Sequence, residues 1–318
     1  MKQNELGKTG LFVSEIAFGG VEIGIPYGIG VKTNSDMLTE KEAIALLNAA
    51  LENGINYFDT ARMYGNSEYI IGKTFKEKRE QVVIATKCCH FLDKNGEIPE
   101  VSKLEKCLME SFHKSLEALK TDYIDIYMLH QVNEDIIENE TIINFFSKLK
   151  EEGKIRATGV STYTLNETKK AIQQNVWDIL QLPFNLMDQR QKSLFNDASK
   201  NGVGIVIRSV LLKGLLSNRG KNLHPKLENV EKHIESYNVF LEQTKFNLPT
   251  LAIKFALSFP EVSSVLVGID KTEYLEQALN AGQGRCLTKE ELDIAIKLSF
   301  PNPEFIDLSY WDKMNWLK

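Results

Sequence analysis

The chain has 318 residues, with 38 lysines and arginines against 43 aspartates and glutamates, and a formal net charge of −5 with histidine neutral. Hydrophobic residues make up 43% and charged residues 25% of the chain, which is ordinary for a globular protein and argues against disorder. We find no signal-peptide pattern at the N-terminus and no run of about 18 apolar residues, so we expect a cytoplasmic protein without a membrane span. Mild acidity without a basic cluster also argues against a nucleic-acid partner.

The four cysteines (88, 89, 107 and 286) include no Cys-x-x-Cys motif, and the five histidines (90, 113, 130, 224 and 233) include no His-x-x-x-His pair. We therefore expect the cysteines to be small buried hydrophobic residues in a reducing compartment, and we expect no metal site. The sequence carries no signal of oligomeric state.

The first elements in chain order are a hairpin, a short strand and a helix. Alternating residues 2–6 and 11–13 flank a turn at residues 7–10 and predict a β-hairpin. Residues 16–20 predict a short buried strand that ends in two glycines, and residues 21–38 form a long irregular stretch. Thr39, with Glu42 three residues later, predicts a helix that begins with a capping box and ends at residues 53–54.

The strand–helix unit then repeats along the chain. The predicted strands are residues 57–59, 82–86, 124–129, 157–161, 179–182, 205–207 and 265–267. The predicted helices are residues 67–75, 101–119, 141–150, 165–174, 191–201, 228–245, 249–258, 272–281 and 288–297. Eight short apolar strands, each followed by a helix, are typical of a parallel sheet that is buried on both faces.

Eight such units predict an α/β protein: a single (β/α)8 TIM barrel over residues 1–318, with an N-terminal hairpin and a C-terminal tail. The alternative is an open doubly wound sheet. No Gly-x-Gly-x-x-Gly opens a helix after the first strand, which disfavours the dinucleotide-binding form of that sheet, and no complete P-loop occurs. The aromatic tail (301–318) either packs on the barrel wall or forms a flap over its open end.

Four polar residues follow three consecutive predicted strands, where a barrel of this type carries its chemistry. They are Asp59, Tyr64, Lys87 and His130. Each also has an ordinary structural explanation, such as a helix cap, a solvated lysine or a hydrogen-bonded core histidine. Together they suit carbonyl reduction: Tyr64 donates a proton, Lys87 lowers the pKa of Tyr64, and Asp59 holds Lys87. His130 can donate a hydrogen bond to the carbonyl oxygen, and a cofactor must supply the hydride.

The chain resembles the aldo-keto reductase family in motifs that occur in the family's order. These motifs are the N-terminal hairpin 6–14, the segment 54–68 around Asp59 and Tyr64, Ala85-Thr86-Lys87, Tyr127-Met128-Leu129-His130, and Gly159-Val160-Ser161 followed by 181–185. The resemblance implies a (β/α)8 barrel, NADP as cofactor with NAD possible, and a catalytic tetrad of Asp59, Tyr64, Lys87 and His130.

The resemblance also implies a set of cofactor-binding residues. They are Ser161, Thr162, Gln181, Arg208, Ser209, Leu211, Gly214, Gly268, Lys271 and Gln277. Thr162 stands where the family usually has asparagine, and Arg208 stands where many relatives have an aromatic residue that stacks on nicotinamide. Lys271 is the one cation near the position where many relatives bind the 2′-phosphate.

We therefore predict an NAD(P)H-dependent oxidoreductase that reduces an aldehyde or ketone, or oxidises the alcohol, on a sugar-like or other small carbonyl substrate. In this prediction Tyr64 is the general acid. Two alternatives stay open: a Schiff-base aldolase or isomerase that uses Lys87 as nucleophile, and a non-catalytic nucleotide-binding member of the family.

Overall fold

A computed structural model describes residues 1–31, 33–130 and 132–317. Its strands are β1 Gln3–Glu5, β2 Phe12–Ser14, β3 Ile16–Gly19, β4 Tyr57–Asp59, β5 Val83–Lys87, β6 Ile124–Leu129, β7 Ile155–Ser161, β8 Ile179–Pro183, β9 Gly204–Arg208 and β10 Val262–Gly268. Its α-helices are α1 Glu40–Glu52, α2 Ser67–Phe75, α3 Val101–Leu119, α4 Glu134–Glu138, α5 Glu140–Glu151, α6 Leu165–Gln174, α7 Phe195–Lys200, α8 Glu228–Ser236, α9 Asn238–Thr244, α10 Leu248–Leu257, α11 Thr272–Gly282, α12 Lys289–Lys297 and α13 Leu308–Lys313.

Strands β3 to β10 form a closed barrel in the order β10-β3-β4-β5-β6-β7-β8-β9, and every neighbouring pair is parallel. The strands are short and almost wholly buried because the barrel interior covers one face and the helices cover the other. The predicted (β/α)8 barrel is confirmed.

The antiparallel hairpin β1–β2 closes the end of the barrel at which the strands begin. Its residues Leu6, Leu11 and Val13 pack against side chains of the barrel interior. Gly7 has a φ of +56°, and a Cβ there would lie 2.4 Å from the backbone nitrogen of Gly204. Only glycine therefore lets the turn approach the start of β9 so closely.

Helix α1 begins as the sequence predicts. The hydroxyl of Thr39 accepts a hydrogen bond from the Glu42 backbone N–H, and the Glu42 carboxylate accepts one from the Thr39 backbone N–H at 2.8 Å. The predicted capping box is confirmed.

Four helical regions differ from the prediction, and one of them is α13 in the tail, which was not predicted. The single helix expected over 228–245 is two helices, α8 and α9, which meet at Tyr237, where the backbone N–H bonds the carbonyl of Ile234 three residues back. The buried Tyr237 hydroxyl donates to the carbonyl of Leu298 at 2.9 Å. The helix expected over 191–201 begins as a 3-10 turn, Arg190–Leu194, and becomes α-helical only in α7. Helix α4 was not predicted; it is five residues long, too short to show a helical period.

The C-terminal tail combines both structures expected for it. Trp311 of α13 is fully buried and anchors the tail to the barrel. The segment just before it, residues 306–309, lines the open end of the barrel. The tail is thus packed on the wall and also forms part of the rim.

Candidate active site

A cavity of about 560 Å³ lies at the end of the barrel where the parallel strands finish. Its wall includes residues from the ends of most barrel strands, the loop after β3 and the tail. This volume is typical of a small-molecule site, and this end of a (β/α)8 barrel is where such enzymes place their chemistry. Asp59, Tyr64 and His130 line the cavity.

Asp59 and Lys87 form a buried ion pair at the base of this cavity. The Lys87 Nζ donates to the two carboxylate oxygens of Asp59 at 2.7 and 2.6 Å and to the carbonyl of Thr60 at 2.9 Å. The Lys87 side chain is 0% exposed. Burial lowers the pKa of Lys87, and the charge and hydrogen bonds of Asp59 oppose that shift. Adjacent parallel strands bring the pair together, since Asp59 ends β4 and Lys87 ends β5.

Tyr64 lies beside this pair, and the Lys87 Nζ is 5.0 Å from the centre of its ring. Burial raises the pKa of the Tyr64 phenol well above its usual range, Asp59 and Tyr27 act in the same direction, and Arg208 opposes them. The net shift of this pKa is therefore opposite to the predicted lowering, because burial outweighs the positive charge of Arg208. The phenol keeps its proton at neutral pH.

His130 completes the group of four. Its ring centre lies 5.4 Å from that of Tyr64 and 5.2 Å from that of His90, both edge to face. Burial lowers the pKa of His130 to about 2, with further lowering by Lys87 and His90. The imidazole is therefore neutral at physiological pH. Its Nδ1 is buried and has no hydrogen-bond partner within the described residues.

Eight of the ten predicted cofactor-binding residues line the same cavity. They are Ser161, Gln181, Arg208, Ser209, Leu211, Gly214, Gly268 and Gln277. The other two, Thr162 and Lys271, do not line it. The Thr162 hydroxyl shares a hydrogen bond of 2.7 Å with the hydroxyl of Thr168, and the exposed Lys271 Nζ lies 5.7 Å from the ring centre of Tyr274.

Gln181 is tied to the ion pair. Its Nε2 donates to Asp59 Oδ1 at 2.7 Å, so part of the side-chain amide that was expected to contact the cofactor holds the Asp59 carboxylate instead. Asp59 thus accepts hydrogen bonds from two sides, and this fixes its orientation towards Lys87.

Arg208, at the end of β9, lies with its guanidinium 4.2 Å from the ring centre of Tyr163. It donates to the Thr162 carbonyl at 2.8 Å and to the Ser209 hydroxyl at 3.3 Å. Within the described residues it forms no ion pair with a carboxylate, and its buried Nε has no partner. An unpaired guanidinium on the cavity wall is suited to binding an anionic group.

The sequence did not single out several wall residues, among them Glu22, Tyr163 and Arg219. Glu22 lies three residues beyond the end of β3. Its place just after a barrel strand could have marked it as a candidate wall residue in the sequence. Arg219 lies well past β9 and reaches the cavity through a loop, so its position in the sequence gave no such signal.

The donor set fits a nicotinamide dinucleotide. Hydroxyls and side-chain amides stand beside the guanidiniums of Arg208 and Arg219, which suits a ligand that carries both amide and phosphate groups. The orphaned Nε of Arg208 is a buried donor in need of an acceptor. No group of three or more potential metal ligands occurs in residues 1–31, 33–130 and 132–317.

Comparison with known proteins identifies the family to which the chain belongs. The profile of the Aldo/keto reductase family matches residues 15–298, so the chain belongs to the aldo-keto reductase family of oxidoreductases.

Individual relatives match over most of their length. The chain is 30% identical to the L-galactose dehydrogenase of Arabidopsis thaliana, over 87% of this chain and 86% of that protein. It is also 30% identical to the NADH-specific methylglyoxal reductase of Escherichia coli, over 88% of this chain and 93% of that protein. Among solved structures, the holo form of aldo-keto reductase AKR11C1 from Bacillus halodurans superposes with a TM-score of 0.77 at 28% identity, covering 94% of this chain and 96% of that one.

Among the helices of the described residues, none combines the length and apolar character needed to cross a membrane.

Proposed function

We propose that this protein is an NAD(P)H-dependent carbonyl reductase, or the alcohol dehydrogenase that catalyses the reverse reaction. The observation that carries the proposal is the group of four at one cavity: a protonated phenol, a buried lysine–aspartate pair and a neutral imidazole. When bound, a reduced nicotinamide supplies the hydride that no side chain can supply.

Each of the four side chains has a distinct task. Tyr64 delivers a proton to the carbonyl oxygen as the carbon is reduced, and the adjacent ammonium of Lys87 stabilises the phenolate that remains. Asp59 holds Lys87 in place and keeps it charged despite its burial. His130, neutral at working pH, donates a hydrogen bond that orients the substrate oxygen.

The cofactor contacts are assigned to the eight predicted residues on the cavity wall, from Ser161 to Gln277. We assign NADP as cofactor, with NAD as the alternative. The resemblance to the family, whose usual cofactor is NADP, supports this choice. The exposed Lys271 does not line the cavity wall, so we do not assign it the contact to the 2′-phosphate. An NADH-specific relative gives NAD independent support.

We assign a small sugar-like or other small carbonyl compound as substrate. Tyr27 and Tyr163 bring aromatic rings to the cavity, where Asp188 and Arg190 add polar groups. Aromatic rings beside polar groups suit the mixed faces of a sugar. The tail tryptophans do not contribute to this wall: Trp311 is fully buried, and neither Trp311 nor Trp316 lines the cavity.

Schiff-base chemistry at Lys87 has less support. Its Nζ is fully buried and already donates to three oxygens, so it has neither a free lone pair nor access to a substrate carbon. Failure of borohydride to trap a lysine adduct would exclude this alternative, and steady-state turnover would exclude a non-catalytic role.

The test is a panel of sugar aldehydes, ketosugars and small carbonyl compounds, followed at the absorbance of the reduced nicotinamide with NADPH and with NADH. We expect turnover of at least one member of the panel with one of the cofactors. The Lys271→Ala variant is the matched control for cofactor choice, and we expect its ratio of NADPH to NADH affinity to equal that of the wild type. Binding of neither cofactor would overturn the proposed function.

A further inference from the structure

Glu22 occupies an unusual place on the cavity wall. It follows the end of β3 by three residues, and its carboxyl group lies across the backbone of Gly268 at the end of β10, the neighbouring strand. A Cβ on Gly268 would fall 1.9 Å from Glu22 Oε1. The bare Cα of this glycine is what leaves room for the carboxyl group.

The carboxyl group has acidic neighbours and few donors. Its Oε2 has no accessible surface and no hydrogen-bond partner in the described part of the chain. The charged and titratable groups that face it are Asp270 after β10, Asp59 at the end of β4, Arg219 in the loop after β9, and Tyr27 in its own loop.

Arg219 is the one cation in this set, and it has other partners. It donates to the Ile29 carbonyl at 3.2 Å and to the Tyr274 hydroxyl at 3.2 Å, and it lies 3.9 Å from the Asp270 carboxylate. Within residues 1–31, 33–130 and 132–317, Glu22 therefore has no cation of its own, and its backbone N–H is the one hydrogen-bond donor that favours the ionised form.

These surroundings favour the neutral acid. An ionised Glu22 would face two other carboxylates in a desolvated position, whereas a protonated Glu22 offers an O–H donor to whatever fills the cavity. Burial, together with Asp270 and Asp59, raises the pKa of Glu22 to about 8. At neutral pH the wall beside Gly268 thus presents a carboxylic acid.

We propose that Glu22 binds the cofactor as a carboxylic acid, donating a hydrogen bond to a phosphate oxygen of the dinucleotide, so that the cofactor and one proton bind together. The proposal rests on the proposed function, because it requires a nicotinamide dinucleotide in this cavity. It adds a binding residue and a proton linkage to that function.

The sign of the linkage follows from charge. A bound phosphate group disfavours ionisation of Glu22 still further, so the pKa of Glu22 is higher in the complex than in the free protein. Above about pH 8 the free protein has lost the proton and must take it up again to bind. Affinity therefore falls as pH rises, by up to tenfold per pH unit in that range.

The experiment is calorimetric titration of the full-length protein with NADH, which lacks the titrating 2′-phosphate, between pH 6.5 and 9.5. In the wild type we expect Kd to rise roughly 30-fold between pH 7 and 9.5, because Glu22 of the free protein is ionised over the upper part of that range. Proton uptake is revealed by heats that differ between buffers of different ionisation enthalpy. Glu22→Gln keeps the shape and a donor but cannot ionise, so we expect it to bind with a Kd that is nearly independent of pH and without proton uptake.

Glu304→Gln is the matched control, because it removes a different carboxylate from the same cavity wall and should follow the wild-type curve. A flat wild-type curve, or a Glu22→Gln curve with the wild-type slope, overturns the assignment to Glu22 while leaving the proposed function intact. Absence of saturable binding of both NADH and NADPH to the wild type overturns the proposed function, and this proposal with it. The proton uptake of the wild type tests the linkage even if the variant fails to fold.

Discussion

Tyr64 keeps its proton because burial disfavours the phenolate, and this proton is what the proposed reduction consumes. Tyr64→Phe removes the hydroxyl and retains the ring. Since a general acid is typically worth 10²–10⁴-fold, we expect kcat to fall by roughly that factor while the Kd for cofactor changes little. Steady-state kinetics with a substrate from the carbonyl panel measure the first quantity, and fluorescence quenching measures the second. Turnover close to that of the wild type would remove Tyr64 from the mechanism.

The Asp59–Lys87 pair is a source of stability only while both partners are present. Asp59→Asn leaves a buried ammonium without a counter-ion, a change that costs about 3–5 kcal/mol in comparable buried pairs. We expect Lys87→Met to relieve that cost, so the double variant should be more stable than the sum of the two single changes predicts. Urea unfolding of the four proteins measures this coupling, and strictly additive free energies of unfolding would contradict it.

His130 makes a specific contribution to the pH dependence of stability. Its pKa is about 2 in the folded protein and near 6.5 when unfolded, so the unfolded state binds the extra proton first as pH falls. Stability is therefore lost below about pH 6.5, by roughly 1–2 kcal/mol for this one group at pH 5. His130→Asn should reduce the slope of unfolding free energy against pH between 6.5 and 5, and an unchanged slope would show that His130 is not held neutral.

In the C-terminal tail, different residues anchor the chain to the barrel and line the cavity. Trp311 holds α13 against the barrel, while residues 306–309 lie on the cavity wall. Trp311→Ala should release the wall segment and raise KM for the carbonyl substrate, with little effect on cofactor Kd if the tail borders the substrate end. The exposed neighbour Tyr310→Ala is the control, and it should leave KM near the wild-type value. A larger effect on cofactor Kd than on KM would reassign the tail to the cofactor end.

The barrel elements were predictable because each strand is an apolar run long enough to recognise and each is followed by a helical period. The four candidate catalytic residues could be found for the same reason, since three of them end or directly follow strands. Contacts between side chains could not be predicted from the sequence. Thr162 turns to Thr168, six residues further on, and Glu22 acquires its surroundings from three other segments of the chain.

Helix boundaries were predicted less well than helices. The continuous period over residues 228–245 gave no sign of the break at Tyr237, whose hydroxyl in the folded chain bonds the carbonyl of Leu298, 61 residues away. The burial that raises the pKa of Tyr64 is likewise a property of the assembled cavity. The sequence alone showed the nearby Lys87 but not this burial, and the expectation for the pKa therefore took account only of the lysine.

At the scale of the whole molecule, the seam between β3 and β10 determines when the barrel can close. Contacts across this seam join residues as far apart as Ile16 and Val265, 249 positions along the chain. Contacts of such high contact order form slowly, and a ribosome releases the last strand only when most of the chain has been made. Until then β3 and β9 are open edges, and open edges invite pairing with other chains. In pulsed hydrogen exchange during refolding, we expect amides of β3 and β10 to gain protection after those of β5 to β7. Earlier protection of β3 and β10 would mean that these two terminal strands pair first and that the strands between them join the barrel later.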